Sequence, residues 1–477
     1  MNSIVRTRVA PSPTGDPHIG TAYVSLFDYA LARKNNGQFV LRIEDTDRSR
    51  YVEGSEQQIF ESLRWLGLDY DEGPDIGGPY SPYRQSERKS LYHKYALELV
   101  AKNKAYYCFC SSERLDKVRE EQKKNKEVPR YDRFCRELSA GELERNLNEK
   151  KPYVIRLKVP ETLTTEFEDV IRGKIVFENK DIDDQVLLKS DGFPTYHLAV
   201  VVDDELMKIT HVIRAEEWIS STPKHVLLYQ AFGWKLPVFA HVPLLRNQDK
   251  SKISKRKNPT SLLWYKEQGY LPEAILNFLA LMGWSHPQEK EIFSLEEFMD
   301  KFSLERVSPS GPVFDLTKLE WLNGEYIRQK SDEELLKLLQ PFIKEKWSEE
   351  KVKRVLPLIK ERMKKLSEFT DLVGFFFEEP SVDMGVLVQK GKTEEDSREI
   401  LKKAAKYLEN AEFWKSHDDL EHALREFTSQ ENWTPKDLFM TIRIALTGKT
   451  ATPPLFDTML VLGQDEVLTR LTNFQNP

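Results

Sequence analysis

The first 47 residues constrain the fold more than any other stretch. Ile4 to Ala10 alternates apolar with polar side chains and predicts a strand. Pro11, Pro13 and Pro17 follow within seven residues. Such a run is neither helix nor central strand, because proline fixes its own φ and offers no N–H. Thr21 to Lys34 then carries Ala22, Tyr23, Leu26, Phe27, Ala30 and Leu31, the spacing of one helix face, and Asn36-Gly37 stops it. Phe39 to Ile43 predicts a second strand. A strand, a helix and a strand in about 40 residues imply a right-handed crossover and a parallel pair, the start of an α/β sheet.

The chain has 477 residues, room for about three domains at roughly 150 residues each. Hydrophobic residues at 40% and charged residues at 31% exclude both a disordered and a membrane-embedded class. Three cysteines exclude a disulfide framework and point to a reducing compartment. The N-terminus has no apolar core of signal-peptide length, and no run approaches the roughly 18 apolar residues of a membrane span. A cytoplasmic protein is therefore expected. The formal net charge of −6 argues against a general nucleic-acid coat, but a local basic stripe on an acidic protein can still bind RNA.

Further along, Tyr51 to Leu66 predicts a helix, and Gly73 to Pro82 is a Gly/Pro-rich break. Residues 88–104 predict another helix. Residues 108–150 are dense in charge and hold all three cysteines. Tyr153–Val159, Lys174–Phe177, Gln185–Lys189, His197–Val202 and Ile209–Arg214 predict strands, so a short insert with its own strands interrupts the parallel-sheet domain. From Leu271 the pattern is mostly helical, over Ala274–Met282, Glu333–Leu339, Val352–Phe377, Ser397–Leu408 and Leu438–Leu446.

Two stretches carry chemistry. His18-Ile19-Gly20-Thr21 stands where a strand has ended and a helix begins, and a helix N-terminus presents unpaired N–H groups and a positive dipole end to a phosphate. Gly20 allows close approach, and His18 can donate to an oxygen gaining charge. Asp249 to Lys257 is the densest basic stretch. Its alternating Lys and Ser suit a loop closing on a polyphosphate, with Lys252 and Lys255 as point charges on the leaving pyrophosphate.

Pro11 to Thr21 together with Lys252-Ile253-Ser254-Lys255-Arg256 resembles the paired signatures of class I aminoacyl-tRNA synthetases. Thr21 replaces the final His of the general motif, as is usual in one subfamily. Arg8 to Gly15, Leu41 to Asp47, Tyr83 to Arg88, Ile213 to Trp218 and Gly311 to Asp315 narrow the resemblance to bacterial glutamyl-tRNA synthetase, across essentially the whole chain.

The resemblance implies an α/β Rossmann-type class I catalytic domain with an inserted acceptor-end-binding α+β domain, followed by all-α anticodon-binding domains. The implied boundaries are 1–84 and 191–256 for the two catalytic halves, 85–190 for the insert, 257–330 for a stem-contact domain and 331–477 for the anticodon region. It implies ATP, Mg²⁺, L-glutamate and tRNA(Glu) as reactants and partners, no membrane, and a monomer. It assigns His18, Gly20, Thr21, Lys252 and Lys255 to catalysis, with Glu217 joining His18, Gly20 and the two lysines around ATP. Arg8, Ala10, Ser12, Glu44, Tyr196 and Arg214 line the glutamate pocket. Arg362 is a candidate for an anticodon base contact, within a basic region from Lys351 to Lys365.

Cys108-Phe109-Cys110, then 24 residues, then Cys135 and Glu137, is similar to a zinc pattern of relatives whose last ligand is His. Three thiolates and the Glu137 carboxylate would make a tetrahedral structural site. Asp45 and Asp47 suit a hydrogen-bonded turn better than a metal. Thr447-Gly448-Lys449-Thr450 mimics the end of a P-loop, but Arg443 stands where the motif needs glycine. The alternatives are charging of tRNA(Gln), activation of a small molecule without tRNA, glutamylation of a tRNA nucleoside, or an inert RNA-binding paralogue. The long helical C-terminal region and the intact His18, Gly20, Lys252 and Lys255 favour the glutamate enzyme.

Overall fold

The structure is a computed structural model and describes residues 4–253 and 259–474. Two compact units emerge, Met1–Tyr265 with Pro272–Leu316, and Lys266–Leu271 with Thr317–Pro477.

In the first unit, β1 (Arg6–Val9) and β2 (Gln38–Leu41) pair in parallel, with Arg6 opposite Gln38 and Val9 opposite Leu41. The helix α1 (Ile19–Lys34) makes the crossover between them. It buries Ala22, Tyr23, Leu26, Phe27, Ala30 and Leu31, the face expected from the sequence. That face packs against helices Pro272–Gly283 and Leu295–Lys301, where Phe27 meets Phe298 and Phe302. The helix α2 spans Ser55–Trp65, with a separate short turn at Arg48–Arg50, so the expected helix from Tyr51 starts four residues later. Next comes α3 (Lys89–Ala101).

The insert is an antiparallel sheet of β3 (Ala105–Cys108), β4 (Val154–Leu157) and β7 (Val186–Leu188), in the order β3-β4-β7. Helices α4 (Ser112–Lys124) and α5 (Ala140–Asn148) lie between its first two strands in the chain. Both are capped by serines, Ser111 and Ser139. The hairpin of β5 (Thr164–Asp169) and β6 (Gly173–Glu178) leaves the insert and joins β8 (His211–Ala215) and β9 (Val238–Val242) in a sheet ordered β6-β5-β9-β8. The start of β8 meets β1, where the Thr210 N–H donates to the Arg6 carbonyl at 3.0 Å.

One expected strand is a helix. His197 to Val202 belongs to α6 (Tyr196–Leu206), followed by α7 (Thr222–Phe232) between β8 and β9. Leu198 to Asp204 are buried without interruption, so the segment has no polar face to reveal a 3.6-residue period, and its valines mimic a buried strand.

The second unit is all helical from Asp332 onward. The expected continuous helix Val352–Phe377 is broken into Glu349–Ile359 and Phe369–Phe377. Met363 and Lys365 are extended, and the connection is pinned to other segments. The Leu366 N–H donates to the Gly269 carbonyl at 3.1 Å, and the Asn323 side chain donates to the Lys364 carbonyl at 2.6 Å. Gly269 has φ +73°, and a Cβ there would sit 2.5 Å from that of Leu366, so two backbones meet where only glycine fits. The P-loop mimic is a helix end: Gly448, at φ 69°, terminates Pro435–Thr447.

Candidate active site

A cavity of about 330 Å³ opens where the C-terminal ends of β1 and β8 face the N-terminus of α1. Such crevices at the carboxyl ends of parallel strands are where open α/β sheets bind ligands. It gathers Arg8 and Ala10 from β1 and its exit, His18, Gly20 and Thr21 from the turn, Glu44 after β2, Tyr196 from α6, Arg214 and Glu217 from β8 and its exit, and Lys252. Ser12 is exposed and lines a neighbouring cavity of about 360 Å³ with Gly15, Asp16 and His18.

The turn is joined by backbone bonds to the segment that follows the lysine-rich stretch. The Ile19 N–H donates to Thr260 O at 2.7 Å, and the Leu262 N–H donates to Pro17 O at 2.9 Å. Segments some 240 residues apart are thus joined just beyond the basic run. Lys252 reaches Glu217 Oε2 at 2.5 Å across the cavity mouth. Lys255 lies outside the described residues.

His18 caps α1 with its ring. Its Nδ1 accepts from the Gly20 N–H at 2.9 Å, so a neutral ring carries its proton on Nε2. A Cβ on Gly20 would sit 2.9 Å from that Nδ1, which explains the glycine. The first turn of α1 has no acidic residue, leaving the positive end of the helix uncancelled.

Beneath the cavity lies a buried ionic network. Asp204 Oδ1 accepts from Arg42 Nη1 at 2.7 Å and Arg8 Nε at 3.1 Å. Arg8 also donates to Ile213 O at 3.2 Å. Burial opposes ionisation of Asp204, yet the two guanidiniums outweigh it and hold the acid below its ordinary value. Asp203 accepts from Arg88, Gln85 and Tyr92 at 2.7, 2.9 and 2.8 Å, so part of the Tyr83–Arg88 string is framework. Asp45 accepts from the Ser86 backbone and hydroxyl, a tie to a distant segment, whereas Asp47 accepts from Ser49 and Arg50 within a local turn. Glu44 stands 3.4 Å from Arg42. Burial pushes its carboxyl up to about 7, against the pull of Arg42 and Arg8.

Arg214 is held differently. Nε donates to His241 Nε2 at 3.1 Å, Nη1 to Tyr196 Oη at 3.1 Å and His225 Nδ1 at 3.2 Å, and Nη2 to Thr222 Oγ1 at 2.8 Å. The two hydroxyls are neutral, and so are the two imidazoles when unprotonated. Tyr196 in turn packs on Trp218, with ring centroids 4.4 Å apart.

The sequence did not point to Asp203, Asp204, Thr222, His225 or His241. The two aspartates sit on the helix mistaken for a strand, and the histidines are isolated in apolar runs with no motif around them. A doubled Asp ending a wholly apolar run was the one available signal, because buried carboxylates need cationic partners.

The three cysteines converge, with their Sγ atoms within 4.8 Å of one another. Glu137 does not join them. It is exposed, because Phe134–Glu137 is a 3₁₀ turn in which residues two apart point away from each other, and Cys135 takes the inward place. The position expected for Glu137 is taken by Tyr131, whose Oη lies 3.3 Å from Cys108 Sγ and 3.4 Å from Cys110 Sγ. Hydrogen bonding from Cys135 and then Tyr131 holds the Cys108 thiol well below its ordinary value. Three soft sulfurs suit a tetrahedral divalent metal, and the Tyr131 hydroxyl stands beside them.

In the second unit Arg362 is exposed, and burial followed by Arg362 draws the neighbouring Arg443 below its ordinary value. Lys360 and Lys365, from the same basic stretch, are engaged with Asp332 and Glu320.

A family model described as "tRNA synthetases class I (E and Q), catalytic domain" matches residues 4–321, and one described as "Anticodon binding domain" matches residues 334–475. The chain is 51% identical to a glutamate–tRNA ligase of Fusobacterium nucleatum, over 98% of this chain and 97% of that one. It is also 51% identical to a glutamate–tRNA ligase of Thermus thermophilus, over 98% and 99%. The solved structure of a glutamate tRNA ligase from Elizabethkingia meningosepticum, in complex with its amino acid, matches with a TM-score of 0.90 at 36% identity over 99% of both chains. Parallel sheet, His-x-Gly turn and helical C-terminal unit are therefore those of a class I aminoacyl-tRNA synthetase. Identity near one half, along almost the full length, narrows the class to one member. The chain belongs to the glutamate–tRNA ligase family.

Asp204→Asn should cost about 3–5 kcal/mol in denaturant unfolding, because it removes a charge shared by two buried guanidiniums. A loss below about 1 kcal/mol would show that Arg42 and Arg8 are neutralised by other groups.

Proposed function

We propose that this enzyme ligates L-glutamate to tRNA(Glu) in two ATP-driven steps. In the first, the α-carboxylate of glutamate attacks the α-phosphorus and pyrophosphate leaves. In the second, the 3′-terminal adenosine hydroxyl attacks the activated carbonyl and AMP leaves. The observation that carries the reading is the meeting of His18, Lys252, Arg214 and Glu44 around one cavity. Neither step needs a protein nucleophile, so the work is positioning and charge stabilisation.

His18 and the N–H groups at Gly20 and Thr21 would stabilise charge growing on the α-phosphate. Lys252 would exchange Glu217 for the β- and γ-phosphates, and Lys255 would join it on the leaving pyrophosphate. Glu217 and Gly20 would border the nucleotide. Arg214 would take the side-chain carboxylate, because its charge is unspent. Glu44 would take the ammonium, and Arg8, Ala10, Ser12 and Tyr196 would complete the pocket. Mg²⁺, brought in with ATP, would supply positive charge that shields the phosphates. The cavity lining offers Glu44 and Glu217 as its carboxylates, which suits an ion carried in by ATP. The helical unit would read the anticodon, with Arg362 touching a base. Three unpaired cysteines fit a reducing cytoplasm, and the reading is of an enzyme that works as a monomer.

ATP–pyrophosphate exchange should depend on both glutamate and tRNA, and exchange that ignores glutamate would refute the assignment. The exchange also has a predicted pH signature. In the empty enzyme Glu44 is raised from 4.5 to about 7, so it is neutral below that range and cannot pair with an ammonium. The kcat/KM for glutamate should therefore rise with pH through about 7 and level off above it. The folding linkage runs the other way. The native state binds this proton more tightly, so Glu44 makes the protein less stable as pH climbs from 4.5 to about 7. Glu44→Gln should abolish both trends and lower kcat/KM. An unchanged pH profile in that variant would remove Glu44 from the ammonium site.

We also propose a structural zinc on Cys108, Cys110 and Cys135, with Tyr131 in the fourth place. Purified enzyme should carry about one zinc per chain by metal analysis. Cys135→Ser should lose it, and Glu137→Ala should retain it. Loss in Glu137→Ala would return that carboxylate to the ligand set.

A further inference from the structure

Arg214 is 5% exposed and makes four hydrogen bonds, yet its partners carry no formal negative charge. The other buried arginines of this region, Arg8, Arg42 and Arg88, each meet an aspartate. The difference is built from two histidine relays. In one, Asp169 Oδ2 accepts from His241 Nδ1 at 2.6 Å, which leaves Nε2 as a lone-pair acceptor for Arg214. Asp169 also takes the backbone N–H groups of His241, Ile171 and Arg172, each at 3.0 Å, so both its oxygens are committed as acceptors. In the other, His225 Nδ1 accepts from Arg214, so its proton sits on Nε2 and is donated to His197 Nδ1 at 3.1 Å.

We infer that His225 and the Asp169–His241 pair are positioning residues that fix the Arg214 fork while leaving its charge unneutralised, so that the cavity selects a substrate side-chain carboxylate over the isosteric carboxamide. The inference rests on the reading of Arg214 given above and deepens it. A carboxylate in place of either imidazole would hold the fork equally well, but it would neutralise the cation before substrate arrived. A neutral imidazole supplies the geometry and leaves the charge for the ligand. An unpaired buried cation is costly in the empty enzyme, and an arriving carboxylate removes that cost where a carboxamide does not. Both imidazoles stay neutral at working pH. Burial, then Arg214, keeps His225 well below its ordinary value. Burial holds His241 at about 4 despite Asp169, and burial with Lys224 and Arg214 holds His197 at about 3.

The test is tRNA-dependent exchange on the full chain, with glutamate and glutamine as alternative substrates. Arg214→Gln comes first. If it leaves the glutamate-to-glutamine ratio of kcat/KM unchanged, the carboxylate reading of Arg214 fails and takes this inference with it. Once that ratio has fallen, His225→Asp should lower it by roughly tenfold or more, because glutamate loses its cation and glutamine loses little. His225→Asn, whose Oδ1 stands in for Nδ1, should keep the ratio within about threefold of wild type. Equal losses on both amino acids in His225→Asp, with the ratio preserved, would overturn the inference while the reading of Arg214 stands. Should His225→Asp fail to fold, Asp169→Asn decides. Its amide must face an N–H donor, which turns the His241 tautomer and expels Arg214 Nε. The expected result is a roughly tenfold higher KM for glutamate with KM for ATP unchanged. No change in the glutamate KM would overturn the inference.

Discussion

A single carboxylate oxygen, Asp204 Oδ1, joins β1, the end of β2 and α6. It receives Arg8 from the first and Arg42 from the second. Arg42 has no exposed surface, so its charge is tolerable only because Asp204, Asp203 and Glu44 surround it. The cavity stands directly on this network. Arg8 and Glu44 belong to both, and Tyr196 lies on the same helix as Asp203 and Asp204. Orientation of the ligand-facing groups is thereby set by the strongest electrostatics in the core, which restricts their rotamers before any substrate binds.

Around that base the molecule keeps its charges in distinct states. Asp204 is ionised and shared. Glu44 is poised near neutrality by burial. Arg214 is charged and unspent. Lys252 is paired with Glu217, with both side chains about half exposed, so the pair is screened by solvent and weak. The arrangement is complementary in charge to a zwitterion with an extra carboxylate and to a triphosphate, in keeping with the general rule that catalytic sites are pre-arranged for charge that has yet to arrive.

Much of this was legible in the sequence. The Pro11–Pro17 turn, the α1 stripe and the β2 strand fall where spacing and proline chemistry put them, because local sterics dominate there. The convergence of His18 with Lys252 came from resemblance, since no local signal joins positions so far apart. What local patterning could not reveal were groups whose partners are distant in sequence. α6 read as a strand because burial on every side erases periodicity. The break near Met363 was hidden because Gly269 and Asn323 impose it from elsewhere. Glu137 was expected on the metal from resemblance to the relatives' pattern, and the 3₁₀ turn that exposes it is a three-dimensional fact. His225 and His241 were ordinary letters until Arg214 was seen between them.

The shared scaffold of α6 has an evolutionary corollary. Tyr196, which borders the cavity, and the aspartates that neutralise the core guanidiniums are separated by about two helical turns. Drift in one cannot be insulated from the other. A lineage changing its preferred amino acid would need compensating changes in the foundations, whereas the strands and helices from Ala105 to Leu188 and the helical unit take no part in these contacts and are freer to diversify.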